Sequence, residues 1–308
     1  MSQGGLGSFR VLDNLAKGLG ELGHQVFYQL PAGTDEPLPL NVTLVAEQVR
    51  DVDIHHVQSR DLWDDMSDIS SPWVRTCHVD VTVRGLDRSC VPVTDHWVFV
   101  SQTLAAAYGK RRFVRNGIDP AEFIYSQTKH DYLLFMCQLD RALQKGLDIA
   151  LALSRATGFC LWVAGSAIDP EIMNMVSQKC QGHNVRLLGE VRGVEKAEVL
   201  AGARALLFPT QLNETFGLVM AEALISGTPV ISSSCGACPE IISPDVGFVC
   251  RSEEEYKAAI SRIDEISPVA CRDKAMKEYH YLRMAGNYVR EYENEIALSR
   301  AGERLTAK

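Results

Sequence analysis

Phe208 to Glu240, FPTQLNETFGLVMAEALISGTPVISSSCGACPE, decides how this chain is read. The apolar run Ala205-Leu206-Leu207-Phe208 predicts a buried parallel strand that ends at Pro209. A polar loop follows, then a helix over Leu218–Ile225 stopped by Gly227 and Pro229, then a second apolar run at Val230-Ile231. In such a strand–loop–helix–strand unit, ligands sit where strand hands over to helix. Two carboxylates, Glu214 and Glu222, flank the predicted helix start, with Gly217 between them. Glycine lets a backbone approach a ligand closely, and the N–H groups of a first helical turn favour phosphate oxygens. Glu222, about a turn into the helix, has the acceptor capacity for both hydroxyls of a ribose diol.

Outward from this stretch, the 308 residues suffice for two cores. A hydrophobic content of 46% and a charged content of 23% describe an ordinary globular chain. The net charge of −8 argues against a surface that coats nucleic acid. No apolar run approaches a membrane span, and MSQGGLGSF does not read as a signal peptide, so stable membrane insertion is not expected and a cytoplasmic location is. The nine cysteines are odd in number and scattered through apolar contexts, as reduced core thiols are. Cys235-Gly236-Ala237-Cys238 matches the redox spacing but sits late in an α/β series, where a thioredoxin-like motif does not belong. Asp51-Val52-Asp53 imitates a metal motif but leads into the apolar-flanked Ile54-His55-His56-Val57, and no metal site is expected there or elsewhere.

Glutamate, seven residues, glutamate, with Phe216-Gly217-Leu218 inside and Gly227-Thr228-Pro229-Val230 and Pro239-Glu240 behind, resembles the donor-site signature of family 4 retaining glycosyltransferases, which have the GT-B fold. The resemblance implies that Glu214 and the Phe216-Gly217-Leu218 backbone face the donor's sugar and diphosphate, and that Glu222 holds the nucleotide ribose. It extends to Asn116-Gly117-Ile118-Asp119 with Phe123, which in the family ends the N-terminal domain, and is patchier over residues 1–115. Family members carry Gly-Arg-Leu before Lys-Gly, and the Arg and Lys neutralise the diphosphate. Here Cys137-Gln138-Leu139 stands in that place, Lys145 carries over, and Arg141 in the intervening loop is the candidate replacement for the lost guanidinium. The family's N-terminal glycine loop maps to Gly4-Gly5-Leu6-Gly7, so Gly5 and Gly7 are donor-binding candidates, and the strand that should precede that loop is missing. A family His in the N-terminal domain maps to His78, equally readable as a hydrogen-bonded core residue.

The remaining elements alternate. Ser8 is a plausible cap for a helix with Phe9, Leu12, Leu15, Ala16, Leu19 and Leu22 on one face, and Val26–Leu30 a strand. An edge strand within residues 31–50, a short helix within 58–72, and strands over Trp73–Val79 and Trp97–Val100 follow, the last leading into a Ser101-capped helix. Lys110, Arg111, Arg112 and Arg115 read as a solvated basic loop. After a linker at 124–130, strands begin at Tyr132, Leu161, Val185 and Gly247, separated by helices, and one long helix is expected from Pro268 to about Glu295, with a frayed tail. Alternation throughout predicts α/β, two doubly wound Rossmann-like domains: 1–125 on the acceptor side, 126–267 on the nucleotide-sugar side, and 268–308 a helix returning to the first.

The function implied is sugar transfer from a nucleoside diphosphate sugar to an acceptor, with retention, metal-independent and without a cofactor. Lys145, Glu214 and His78 are its catalytic candidates. The acceptor stays open: glycan, lipid-linked, small molecule or modified nucleobase. The alternatives are a catalytically degenerate sugar-nucleotide-binding module or an epimerase on the same fold.

Overall fold

The computed structural model describes residues 7–29, 38–58, 66, 69, 71–182 and 184–306. The chain divides into two compact units, residues 1–118 with 279–308, and residues 119–278.

In the first unit, α1 (Gly7–Glu21) buries Val11, Leu15, Ala16 and Leu19. It starts at Gly7, so Ser8 is its second residue rather than its cap, and Leu22, expected on the apolar face, is exposed. β1 (Val26–Gln29) pairs in parallel with β2 (Val42–Val45). A separate parallel sheet has the order β3 (His55–Val57), β4 (Trp73–Cys77), β5 (Trp97–Phe99). Ser101 Oγ accepts from Leu104 N–H, the expected cap of α2 (Gln102–Ala107). The basic run is not simply solvated: Arg112, half-buried, pairs with Glu291 and Glu295 of the last helix, and Lys110 pairs with Asp95. Most of the 58–72 segment, and with it the expected short helix, lies outside the described residues.

The second unit is built on one six-stranded parallel sheet. β6 (Tyr132–Met136) is buried at every position, as a central strand covered on both faces must be. α3 (Leu147–Thr157), β7 (Cys160–Ala164), α4 (Pro170–Lys179), β8 (Val185–Gly189), α5 (Gly193–Gly202), β9 (Ala205–Phe208), α6 (Leu218–Ile225), β10 (Val230–Ser233), α7 (Cys238–Ile241), β11 (Gly247–Cys250) and α8 (Glu253–Arg262) complete it. The spatial order is β11-β10-β9-β6-β7-β8. From β6 the chain winds outward through β7 to β8, then crosses back so that β9 pairs with the other side of β6. The order therefore reverses between β6 and β9, and in open α/β sheets ligands sit at the carboxyl ends of the strands at such a point. α6 is buried almost all round and closes on a Schellman motif: Gly227 N–H donates to Leu224 C=O and Thr228 N–H to Ala223 C=O.

The expected single C-terminal helix is two. α9 (Pro268–Glu278) packs on α6 in the second unit, and α10 (Tyr281–Thr306) packs on α1 in the first. The break has a backbone cause. Ile118 N–H donates to Tyr279 C=O (2.8 Å) and Tyr281 N–H to Ile118 C=O (3.0 Å), so a strand-like bridge takes groups that a continuous helix would use. Gly117 is required beside it, since a Cβ there would stand 2.6 Å from Tyr281 Cα. α10 then runs on to Thr306, well beyond Glu295, so the tail expected to fray is helical.

Candidate functional site

At the reversal point of the six-stranded sheet, the loop after β6 and the loop after β9 are tied backbone to backbone. Gln211 N–H donates to Gln144 C=O (2.9 Å), and Gly146 lies so close to Pro209 that a Cβ would overlap its carbonyl. The first loop ends in Lys145 and the second carries Glu214, and these side chains form an ion pair, Nζ to Oε2, little exposed on either side. Lys145 Nζ also lies 5.2 Å from the centre of the Phe208 ring, so part of its environment is apolar.

The loop after β10 props the same spot from behind. Ala237 N–H donates to Glu214 C=O (2.8 Å), and Gly236, at φ 58°, lies directly against the Glu214 backbone. A Cβ at Gly236 would stand 2.7 Å from Asn213 C and closer still to Glu214 N and O. Gly217, at φ 78°, turns the chain into α6, with Phe216 packed beneath. Its own Cβ would meet the Glu214 side chain, 3.3 Å from Cγ. Glu222 follows on the buried helix and pairs with Lys196 of α5, Nζ to Oε2 at 2.7 Å. Lys145, Glu214, Gly217 and the first turn of α6 thus belong to one short stretch of surface, with Glu222 one turn behind.

The other sequence candidates fall differently. Arg141 is exposed in a short 3-10 turn (residues 139–141), one turn before Lys145, whose N–H donates to Arg141 C=O. Gln138, in the place of the family's Arg, donates its amide to Asp140 (3.1 Å). Asp140 in turn accepts the Ile168 and Asp169 N–H groups, and these bonds hold its carboxyl below the usual carboxylate range. Gly5 lies outside the described residues, and Gly7 is the first residue of α1. His78 belongs to the first unit and follows β4, which ends at Cys77 and not at Val79. Its Nε2 bonds Gln58 Oε1 (2.6 Å), Gln58 Nε2 bonds His56 Nε2 (2.9 Å), and His56 reaches Tyr292 OH and Thr76 Oγ1. Burial pushes the His78 ring down to about 4; burial, then His78, pushes His56 to about 3. Both rings are therefore neutral at pH 7.

All nine cysteines are free thiols. Burial pushes Cys238 up to about 12, the wrong direction for a redox nucleophile. Among the described residues no group of three or more His, Cys, Asp and Glu side chains is placed to hold a metal ion, and no helix is long and apolar enough to cross a membrane.

This geometry has known counterparts. Residues 130–265, the sheet and the loops just described, match the family model described as Glycosyl transferases group 1. This segment is therefore similar to group 1 glycosyl transferases. Among solved structures, AviGT4, a glycosyltransferase involved in avilamycin A biosynthesis, is 26% identical with a TM-score of 0.78, covering 96% of this chain and 91% of that one. Anabaena HepE in complex with UDP-glucose is 14% identical with a TM-score of 0.69, covering 98% of each chain, and bears on the fold alone. The parallel-sheet α/β architecture is that of GT-B glycosyltransferases. Among curated proteins, the MMP alpha-(1->4)-mannosyltransferase of Mycolicibacterium hassiacum is 33% identical over 115 residues, 33% of this chain and 27% of that protein. The chain spans less than half the length of the curated relatives it matches.

Sequence reasoning missed two parts of this candidate site. Lys196 lies on a helix that reads as amphipathic and ordinary, and only the fold brings it to Glu222. Gly236 was legible only as the middle of a CxxC spacing, although a glycine beside Pro239-Glu240 signals a close backbone approach.

Proposed function

We propose that this chain is a glycosyltransferase that moves a sugar from a nucleoside diphosphate donor to an acceptor hydroxyl or amine, with retention and without a metal ion. The observation that carries the reading is the Lys145–Glu214 pair at the strand-order reversal, directly before the α6 N-terminus. A leaving diphosphate accumulates negative charge, and a fixed ammonium with aligned N–H groups stabilises that charge without reorganising. Glu214 holds Lys145 in place and positions the sugar hydroxyls, and Glu222 takes the ribose. In the transfer, the bond from the anomeric carbon to the phosphate oxygen breaks, and the acceptor bonds to that carbon on the same face. The acceptor's proton goes to the departing phosphate oxygen. No carboxylate nucleophile is needed. His78, neutral and held by Gln58, is the acceptor-side candidate in the first unit.

One observation favours a second reading, a module that binds sugar nucleotide without turning it over. Gln138 supplies no charge and Arg141 is exposed, so Lys145 is the one cation this structure places against Glu214 in the loop after β6. A panel of UDP-, GDP-, ADP- and TDP-sugars, scored for thermal stabilisation and donor consumption, separates the two. Stabilisation with turnover, lost in Lys145→Met by about 2–4 kcal/mol in the barrier, is the expected result. Stabilisation without turnover establishes the module; neither effect with any donor refutes both.

A further inference from the structure

The loop after β10 carries two thiols that the donor chemistry leaves unused, Cys235 and Cys238. Cys238 N–H donates to Cys235 C=O (3.3 Å), so Cys235-Gly236-Ala237-Cys238 is a hydrogen-bonded turn. Its central φ angles, 58° at Gly236 and −79° at Ala237, are those of type II′. Such a turn brings its end Cα atoms within about 7 Å of each other. A disulfide needs a Cα separation of about 4.4–6.8 Å, so the backbone already holds the two cysteines near its range. Cys235 is partly exposed, whereas Cys238 is buried. Burial above all raises the Cys238 thiol to about 12; the Glu214 carboxylate and the Cys235 sulfur add to this, while a Ser233 hydrogen bond and Lys145 oppose it. The Cys238 sulfur thus has both Cys235 and the Lys145–Glu214 pair as neighbours.

We propose that Cys235 and Cys238 are an oxidisable dithiol, a modification site at which a hydroperoxide converts the pair to a disulfide and thereby shifts the backbone of Glu214. The Cys235 thiolate attacks one peroxide oxygen, the O–O bond breaks and hydroxide leaves, giving a sulfenic acid. The Cys238 thiol then gives up its proton, its sulfur bonds to Cys235 Sγ, and the sulfenic hydroxyl departs as water. Two thiols and one hydrogen peroxide yield one disulfide and two waters. The partly exposed cysteine attacks and the buried one resolves, which asks nothing of Cys238 until the sulfenic acid is beside it. The turn cannot absorb the change, because Cys238 must leave Ser233 and the residues between the two sulfurs are those that hold Glu214. Ala237 N–H donates to the Glu214 carbonyl (2.8 Å), and Gly236 lies where a Cβ would stand 2.7 Å from Asn213 C. A re-aimed turn therefore presses on the Glu214 main chain. The inference stands without the donor reading; on that reading, oxidation also lowers turnover.

The test exposes the full chain to hydrogen peroxide, alkylates the remaining thiols in denaturant and maps the peptides by mass. The natural chain should alkylate two fewer than its nine cysteines, with a Cys235–Cys238 bond that dithiothreitol reopens. Cys235→Ser should form no bond, and Cys238→Ala should carry the sulfenic acid, trapped by dimedone, at Cys235. Amide exchange followed by NMR should show Ala237 N–H exchanging about tenfold faster in the oxidised chain, with dithiothreitol restoring the slow rate and peroxide without effect in Cys235→Ser. Should Cys238→Ala not fold, the natural chain and Cys235→Ser decide between them. Nine free thiols after peroxide, a bond to Cys250 (which pairs with Ser233 in the sheet) instead, or a bond that leaves Ala237 exchange unchanged would each overturn the inference. A reversible bond with faster Ala237 exchange establishes it whether or not any nucleotide sugar is turned over, so the donor reading stands or fails separately.

Discussion

Gly236→Ala tests whether Glu214 is held by the loop behind it. At φ 58° an alanine pays the left-handed penalty, about 1–2 kcal/mol. Its Cβ would also stand 2.7 Å from Asn213 C where ordinary contact begins at 3.4 Å, so the two loops must separate by about 0.7 Å or more. The hydrogen bond from Ala237 N–H to Glu214 C=O stretches with them. Displacing a catalytic group by about 1 Å costs on the order of a hundredfold in rate, so Gly236→Ala should lose kcat by about that factor for about 2–3 kcal/mol of stability. Gly158→Ala is the control: its φ is 77°, and nothing lies within 4 Å of its Cβ, so it should lose about 1–2 kcal/mol of stability and no activity. Urea unfolding and donor turnover, measured on both variants with whichever nucleotide sugar the panel identifies, complete the comparison. If Gly236→Ala keeps its kcat while losing only the stability that Gly158→Ala loses, Glu214 is not positioned by this contact.

Three other outcomes follow from the same geometry. Lys129 donates to Ala201 C=O (2.8 Å) at the end of α5, to Ser226 C=O (3.4 Å) at the end of α6 and to Thr228 Oγ1 (2.8 Å), so Lys129→Met should cost about 1–3 kcal/mol in urea unfolding. His56 and His78 titrate at about 3 and about 4 when folded and near 6.5 when unfolded, so their contribution is full above pH 6.5 and is lost as the pH falls below it. Both rings keep part of their surface open, so unfolding at pH 5 against pH 7.5 should reveal a loss of about 1–2 kcal/mol per ring, flattened in His56→Gln with His78→Gln. Asp80, 2% exposed and doubly bonded by Arg88, should cost about 1–3 kcal/mol when changed to Ala, because two charge-assisted hydrogen bonds are lost while the guanidinium, 33% exposed, is partly solvated; an unchanged urea midpoint would refute the pair's role.

The second unit was almost fully legible because its parallel strands are buried on both faces and are written as continuous apolar runs. Ala205–Phe208 and Leu218–Ile225 are observed at the predicted residues. The first unit's strands are short, and β1, β2 and β3 are only partly buried, β3 at every one of its positions, so their pattern is weak; the end of Trp73–Cys77 was overrun although that strand is mostly buried. The break at Tyr279-His280 could not be read locally, since the residue that causes it, Ile118, is far away in sequence. The same holds for Arg112, whose partners lie on α10, and for Lys196. Local propensity and periodicity carry what neighbours decide; ion pairs between distant elements exist only once the chain has folded.

That division explains why the candidate residues could be named from the sequence while their pairing could not. Lys145 and Glu214 lie on different loops, and nothing in either loop requires them to meet. The crossover that seats β9 beside β6 makes them meet, by placing both loops at the one point where the strand order reverses. A second crossover, to β10, then brings Gly236 behind Glu214, and the packing of α5 against α6 brings Lys196 to Glu222. Glu214 and Glu222 are thus each paired with a lysine from another element. On the donor reading proposed above, that pairing lets a diphosphate approach without meeting an uncompensated carboxylate.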